Sequence, residues 1–194
     1  MVSIASSSPV EWRRSISSTN YLISSSSDLV STSFINDAFA DKSMPWAYPF
    51  TEAEIEVMKN NCVILGVYLT HESNDETASQ RGPRFEQVGM ARLITDRLTM
   101  FYITDVFIAP SERGKGLGRW MADCIREIMD GMPHLKRAML MATPESGEDP
   151  YNSHSVRFYR DRMGMEPFEQ GRGVVAMGRS AKWWEAREND EERQ

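Results

Sequence analysis

Cysteine is scarce in this sequence: 194 residues carry only Cys62 and Cys124, and neither forms a Cys-x-x-Cys pair or a Cys/His ligand spacing. That excludes a disulfide framework and a zinc-ribbon type of site. Cys62 opens an apolar run and Cys124 falls at a helix-spaced apolar position. Both are expected to be buried thiols in a reducing compartment, with the cytoplasm as the simplest location. No run of about 18 apolar residues occurs, so no membrane span is expected. The first residues lack the continuous apolar stretch of a secretory signal. Basic charge is short as well: 22 Lys and Arg stand against 28 Asp and Glu, a net charge of −6. Nucleic-acid binding relies on Lys and Arg meeting phosphates, so a general nucleic-acid binder is not expected. A local basic cluster can still hold a small anion. His71, His134 and His154 are isolated, and no metal site is expected.

What remains is an ordinary globular composition, 41% apolar and 26% charged, long enough for one domain with its own core. Residues 1–20 are Ser-rich with Arg13, Arg14 and one acid, Glu11. They read as a flexible tail, with an organelle transit peptide as the alternative. The domain is expected over 21–180, beginning with a short strand at Tyr21–Ser24. Leu29, Val30, Phe34, Ile35, Ala38 and Phe39 recur at helical spacing behind Asp28, a plausible N-cap. Thr51-Glu52-Ala53-Glu54 is a capping box for a second helix reaching about Asn60. A strand follows over Cys62–Leu69, then a long polar loop over 70–84, then a hairpin of Phe85–Ile94 and Met100–Ile108. The clearest helix runs from Gly116 to Asp130, with Leu117, Trp120, Met121, Cys124, Ile125 and Ile128 on one stripe. Arg137–Ala142 is expected as a strand and Ser155–Met163 as a helix. A closing hairpin is expected at Met165–Phe168 and Val174–Met177, and a charged helix or tail over 181–194. The order predicts an α+β domain: a central mixed, mostly antiparallel sheet flanked by helices.

The most informative stretch is Asp105-Val106-Phe107-Ile108-Ala109-Pro110-Ser111-Glu112-Arg113-Gly114-Lys115-Gly116-Leu117-Gly118-Arg119. A strand enters a glycine-rich turn that opens directly into a helix. Glycines let an anion approach backbone N–H groups, and the helix start adds unpaired donors and the positive end of the dipole. Arg113, Lys115 and Arg119 surround the turn with cations. The glycine spacing fits neither a P-loop nor a dinucleotide fingerprint.

Arg113-x-x-Gly116-x-Gly118 resembles the Gln/Arg-x-x-Gly-x-Gly/Ala signature of the GNAT acetyltransferase superfamily. Asn152-x-x-x-x-Val156-x-Phe158-Tyr159-x-x-x-x-Gly164-Met165 resembles a second block of that family, with a longer Tyr–Gly spacing and Met165 where Phe is usual. The resemblance covers about residues 20–179 and implies an acyl-CoA N-acyltransferase fold. It also implies acetyl-CoA as donor, with Val106, Phe107 and Ile108 along the pantetheine arm and the N–H groups of 114–119 on the pyrophosphate. Asn152 would line the coenzyme cleft and Tyr159 would lie near its sulfur. The second partner would be an amine acceptor, under a segment carrying Trp46 and Tyr48. A homodimer is compatible with such a chain.

Acetyl transfer to an amine needs two oriented reactants, a base, an acid and a stabilised oxyanion. Tyr159 is the expected proton donor. Asp105, the lone carboxylate of its strand, is the candidate base if a bulge turns it toward the cleft; a water relay or a structural hydrogen bond is the alternative. A small-molecule amine acceptor is the first expectation, with a protein or peptide acetyltransferase and a non-catalytic acyl-CoA-binding module as rivals.

Overall fold

The computed structural model of the chain describes residue 4 and residues 8–71, 84–144 and 147–167. Within them the order is β1 (Glu11–Ile16), β2 (Thr19–Ser24), α1 (Thr32–Phe39), α2 (Glu52–Asn61), β3 (Val63–His71), β4 (Arg84–Thr95), β5 (Met100–Ile108), α3 (Leu117–Asp130), β6 (Arg137–Leu140) and α4 (His154–Met163). The strands form one sheet in chain order. Every neighbouring pair is antiparallel except β5 and β6, which run parallel and are joined through α3. The architecture is the expected mixed α+β sheet.

Each face of the sheet carries its own core. The stripe of α3 buries all six of its expected apolar residues against Ile23, Leu65, Val67, Leu93, Phe101 and Ile103. The other face packs Ile64, Met90 and Phe107 against Ile35, Phe39 and Met44 of the α1 region and Ile55 of α2. The start of α2 is fixed as its spacing predicts. The Thr51 hydroxyl accepts from the Glu54 N–H at 3.3 Å, and the Glu54 carboxylate accepts from the Thr51 N–H at 2.8 Å.

Two expectations are corrected. The Ser-rich start is no loose tail over residues 11–16, because that segment is the edge strand β1, paired in register with β2 from Glu11↔Ser24 to Ile16↔Thr19. The sheet therefore begins before the expected boundary at 21. Asp28 does not cap the first helix: it lies in a short 3-10 turn, Ser27–Leu29, and the cap is Ser31, whose hydroxyl accepts from the Phe34 N–H at 3.2 Å. Most of the 70–84 loop, the second strand of the closing hairpin and the 181–194 segment lie outside the described residues.

The detail that shapes the site is a break in the alternation of β5. Phe101 and Ile103 face the α3 core, as do Val106 and Ile108, whereas Phe107 faces the α1 side. Two residues of the same face are thus three positions apart, which requires an extra residue between them. The register agrees: Met90 pairs with Phe107 and Arg92 with Thr104, leaving Asp105 and Val106 opposite Ala91. Asp105 takes the left-handed conformation, φ 51°. Aspartate tolerates this better than most residues, and it is the conformation of a G1-type bulge.

Candidate active site

The β5–β6 pairing stops early. It runs from Met100↔Arg137 to Ile103↔Leu140, and β6 ends there while β5 continues to Ile108. Among the described residues, β5 has no strand partner on that side beyond Ile103. The Ala109 N–H donates to the Val88 carbonyl at 2.9 Å, toward β4. Backbone groups alternate between edges along a strand, so those of Ile108 face the open side. Phe107 turns its backbone toward β4 and its ring into the α1 core. Parallel strands that part above a helix N-terminus create the kind of crevice in which α/β sheets bind ligands.

The glycine turn stands at that opening. Gly114 and Gly116 both have φ 82°, and Gly116 is the N-cap of α3 with no side chain capping it. The first helical bond is from the Trp120 N–H to the Gly116 carbonyl, so the N–H groups of Leu117, Gly118 and Arg119 have no helical partner. A Cβ built on Gly114, Gly116 or Gly118 would meet none of the described residues within 4 Å. Space and donors of the kind a pyrophosphate needs are therefore both present.

The cations of the turn are placed less simply than the sequence suggests. The Arg113 Nε donates to the Ile108 carbonyl at 2.9 Å and its Nη2 to the Ser43 hydroxyl at 3.0 Å, with the guanidinium over the Phe107 ring. It ties the turn to the segment between α1 and α2. The Lys115 Nζ donates to Glu112 Oε1 at 2.8 Å, and the Tyr21 hydroxyl donates to Oε2 at 2.7 Å. Burial pushes the Glu112 carboxyl up, but the bonds from Lys115 and Tyr21 outweigh it and the net shift is down. The Lys115 ammonium is shifted up, chiefly by its bond to Glu112. Arg119 is exposed.

Asp105 is 5% exposed. Its Oδ2 accepts from the Arg92 Nε at 2.6 Å, and its Oδ1 accepts from the Trp46 Nε1 and the Thr104 hydroxyl, each at 3.2 Å. The bulge thus turns the carboxylate into the α1 side, under Trp46. Trp46 and Tyr48 keep 37% and 49% of their surface exposed. Arg92, Glu112 and Tyr21 were not among the expected site residues. For Arg92 the signal was a cation in the apolar second half of its strand, with a lone acid, Asp105, on the next.

Ser153 caps α4, and Ser155 donates to the Thr143 carbonyl at 3.1 Å, holding the α4 start beside the chain that leaves β6. Asn152, exposed just before that cap, therefore stands at the same end of the sheet as the glycine turn. Tyr159, seven residues on, packs against the α3 core together with Val106 and Ile108. Burial raises its phenol pKa. With Val156, Leu140 and Met141 it lines a groove of about 830 Å³ along β6. A smaller cavity, about 410 Å³, lies at the far end of the sheet beside Ser25, Lys59 and Arg97. His71 ends β3 at 3.2 Å from Glu86, and His134 and His154 are exposed. Cys124 is buried, its thiol pushed up to about 12 by burial, while Cys62 is only half-buried. No three His, Cys, Asp or Glu among the described residues form a metal-binding group. No helix among them is long and apolar enough to cross a membrane.

Comparison with known proteins bears on this arrangement. Residues 39–165 match the model of the acetyltransferase (GNAT) family. FG08082 of Gibberella zeae, assigned to the acetyltransferases, is 33% identical over 170 residues, 86% of this chain and 88% of that protein. A solved GNAT-family protein of Xanthomonas campestris pv. campestris superimposes with a TM-score of 0.57 at 19% identity, covering 81% of this chain and 92% of its own. SA2161 of Staphylococcus aureus overlays less closely, with a TM-score of 0.47 at 20% identity over 78% and 96% of the two chains.

Proposed function

Because this chain belongs to the GNAT family of acetyltransferases, we propose that it moves an acetyl group from acetyl-CoA to a primary amine of a small molecule, both substrates being bound at once. The observation that carries the reading is the opening beside β5, where the strand loses its β6 partner just before the uncapped, glycine-lined start of α3. The pyrophosphate would lie on the N–H groups of 114–119, the pantetheine arm along Val106 to Ile108, and the thioester near the bulge, with Asn152 on the cleft wall.

The neutral amine nitrogen attacks the thioester carbon, and the carbonyl oxygen takes up the charge. The carbon–sulfur bond then breaks, and Tyr159 gives its proton to the departing thiolate. Its raised pKa keeps it in the acid form at neutral pH, as a donor to a thiolate must be. The ammonium proton leaves through water, which also returns a proton to Tyr159. Asp105 acts here as a positioning residue: three donors already occupy its carboxylate, and through Trp46 it fixes the aromatic roof of the acceptor side. Exposed Trp46 and Tyr48 suit an apolar or cationic amine that can lie against a ring.

Intact-mass analysis after incubation with acetyl-CoA and either a panel of small amines or basic peptides tests the proposal. A gain of one acetyl group on small amines supports it. Acetylation of peptides alone would make the chain a protein acetyltransferase, and acetylation of neither would leave a coenzyme-binding module.

A further inference from the structure

Lys115 stands inside the glycine turn, yet its ammonium bonds the protein. Its partner Glu112 is 8% exposed, and the Tyr21 hydroxyl that fills the other carboxylate oxygen belongs to a residue 2% exposed. Glu112 ends the short 3-10 turn Pro110–Glu112 directly before Arg113. A carboxylate is therefore buried against the turn whose N–H groups face the open space. An acid helps a helix start when it accepts from the helix N–H groups. This one accepts from Tyr21 and Lys115 instead, so without Lys115 its charge would oppose any anion approaching the turn. The second cation of the turn, Arg113, is likewise directed at the protein, on the Ile108 carbonyl and Ser43.

We propose that Lys115 supports coenzyme binding by neutralising the buried Glu112 carboxylate, and not as a ligand of the phosphates. The pyrophosphate is held by backbone N–H groups, on a turn that the Glu112–Lys115 pair keeps from being electronegative. Tyr21 anchors that pair to β2. The inference rests on the turn being the pyrophosphate site, as proposed above.

Direct ligation and neutralisation differ in what a second substitution does. CoA binding to the full chain is measured by titration calorimetry at fixed ionic strength, with melting temperatures as the check on folding. Lys115→Met exposes the phosphates to an uncompensated carboxylate and should raise the Kd for CoA about tenfold. Glu112→Gln alone should bind at least as tightly as wild type. The double variant Glu112→Gln/Lys115→Met should return to within about threefold of wild type, because the charge that Lys115 balanced is gone. Lys115→Arg should bind as wild type does. If Lys115→Met does not fold, Lys115→Gln makes the same charge change while still able to hydrogen-bond Glu112. A double variant as weak as the single lysine variant makes Lys115 a direct phosphate ligand and overturns the inference, as does a single variant that binds normally. A wild-type chain that fails to bind CoA at all overturns the underlying site assignment as well.

Discussion

Arg92 on β4 donates its Nε–H to Asp105 on β5 at 2.6 Å, at the bulge where the register of the two strands shifts. The side chains are 23% and 4% exposed, so the pair is largely out of water. A guanidinium, an indole and a hydroxyl together hold the Asp105 carboxylate in one orientation, which suits a positioning role. Asp105→Asn would set an amide against the Arg92 guanidinium. After discounting for the partial exposure of Arg92, the loss should be about 2–3 kcal/mol, a fall in Tm of roughly 5–10 °C for a chain of this size. Thermal melting reads the stability. Activity should drop by the same fraction for a strongly basic alkylamine as for an arylamine that is neutral at pH 7. A loss confined to the alkylamine would restore Asp105 to the role of base.

Tyr159→Phe removes only a hydroxyl from a ring packed against the α3 core. General acids typically contribute about 10²–10⁴-fold, and kcat should fall within that range while the Kd for CoA stays within about twofold. The pH dependence has a definite sign. Burial disfavours the phenolate and raises the pKa, so the acid form persists as pH rises and is lost only above the ordinary phenol value of about 10. A pH–rate profile should show no alkaline decline from this group below that value. A kcat within twofold of wild type, with chemistry shown to be rate-limiting, would make Tyr159 a packing residue.

Tyr68 offers a prediction about stability alone. Its side chain is fully buried and its hydroxyl has no hydrogen-bond partner among the described residues. The ring lies over Gly66, filling the space a Cβ there would need. Tyr68→Phe keeps the ring and removes the orphan polar group, so the protein should gain on the order of 1 kcal/mol in urea unfolding. A loss of similar size would show that the hydroxyl has a partner, such as a bound water.

Elements whose signals are local could be read from the sequence. The Thr51–Glu54 box, the α3 stripe and the β4–β5 hairpin came out as their patterns required, because cap spacing and apolar period are properties of neighbouring residues. β1 was missed because Glu11–Ile16 exposes most of its side chains and shows no buried alternation; its pairing with β2 is what makes it a strand. Asp28 was expected as the cap of α1, but the chain first makes the 3-10 turn Ser27–Leu29 around it, so the helix starts later, at Ser31. The glycine turn was legible, since φ above zero at Gly114 and Gly116 is what glycine there is for. The destinations of Arg113, Lys115 and Asp105 were not. Their partners lie between 3 and 91 residues away in sequence — Glu112 for Lys115, Arg92 and Trp46 for Asp105, Ser43 for Arg113, Tyr21 for Glu112 — and all but the first are brought near only by the fold.

The central claim, that the turn at the head of α3 holds the pyrophosphate of acetyl-CoA, is tested most directly by Gly116→Asp. Aspartate is among the residues that tolerate the left-handed conformation, and a Cβ here meets none of the described residues within 4 Å. The variant should therefore melt within a few degrees of wild type without ligand, while placing a carboxylate where phosphate belongs. Wild type should gain several degrees in Tm with saturating acetyl-CoA through linkage, and Gly116→Asp should gain none. An equal gain in the folded variant would contradict the account and put the coenzyme elsewhere on the protein.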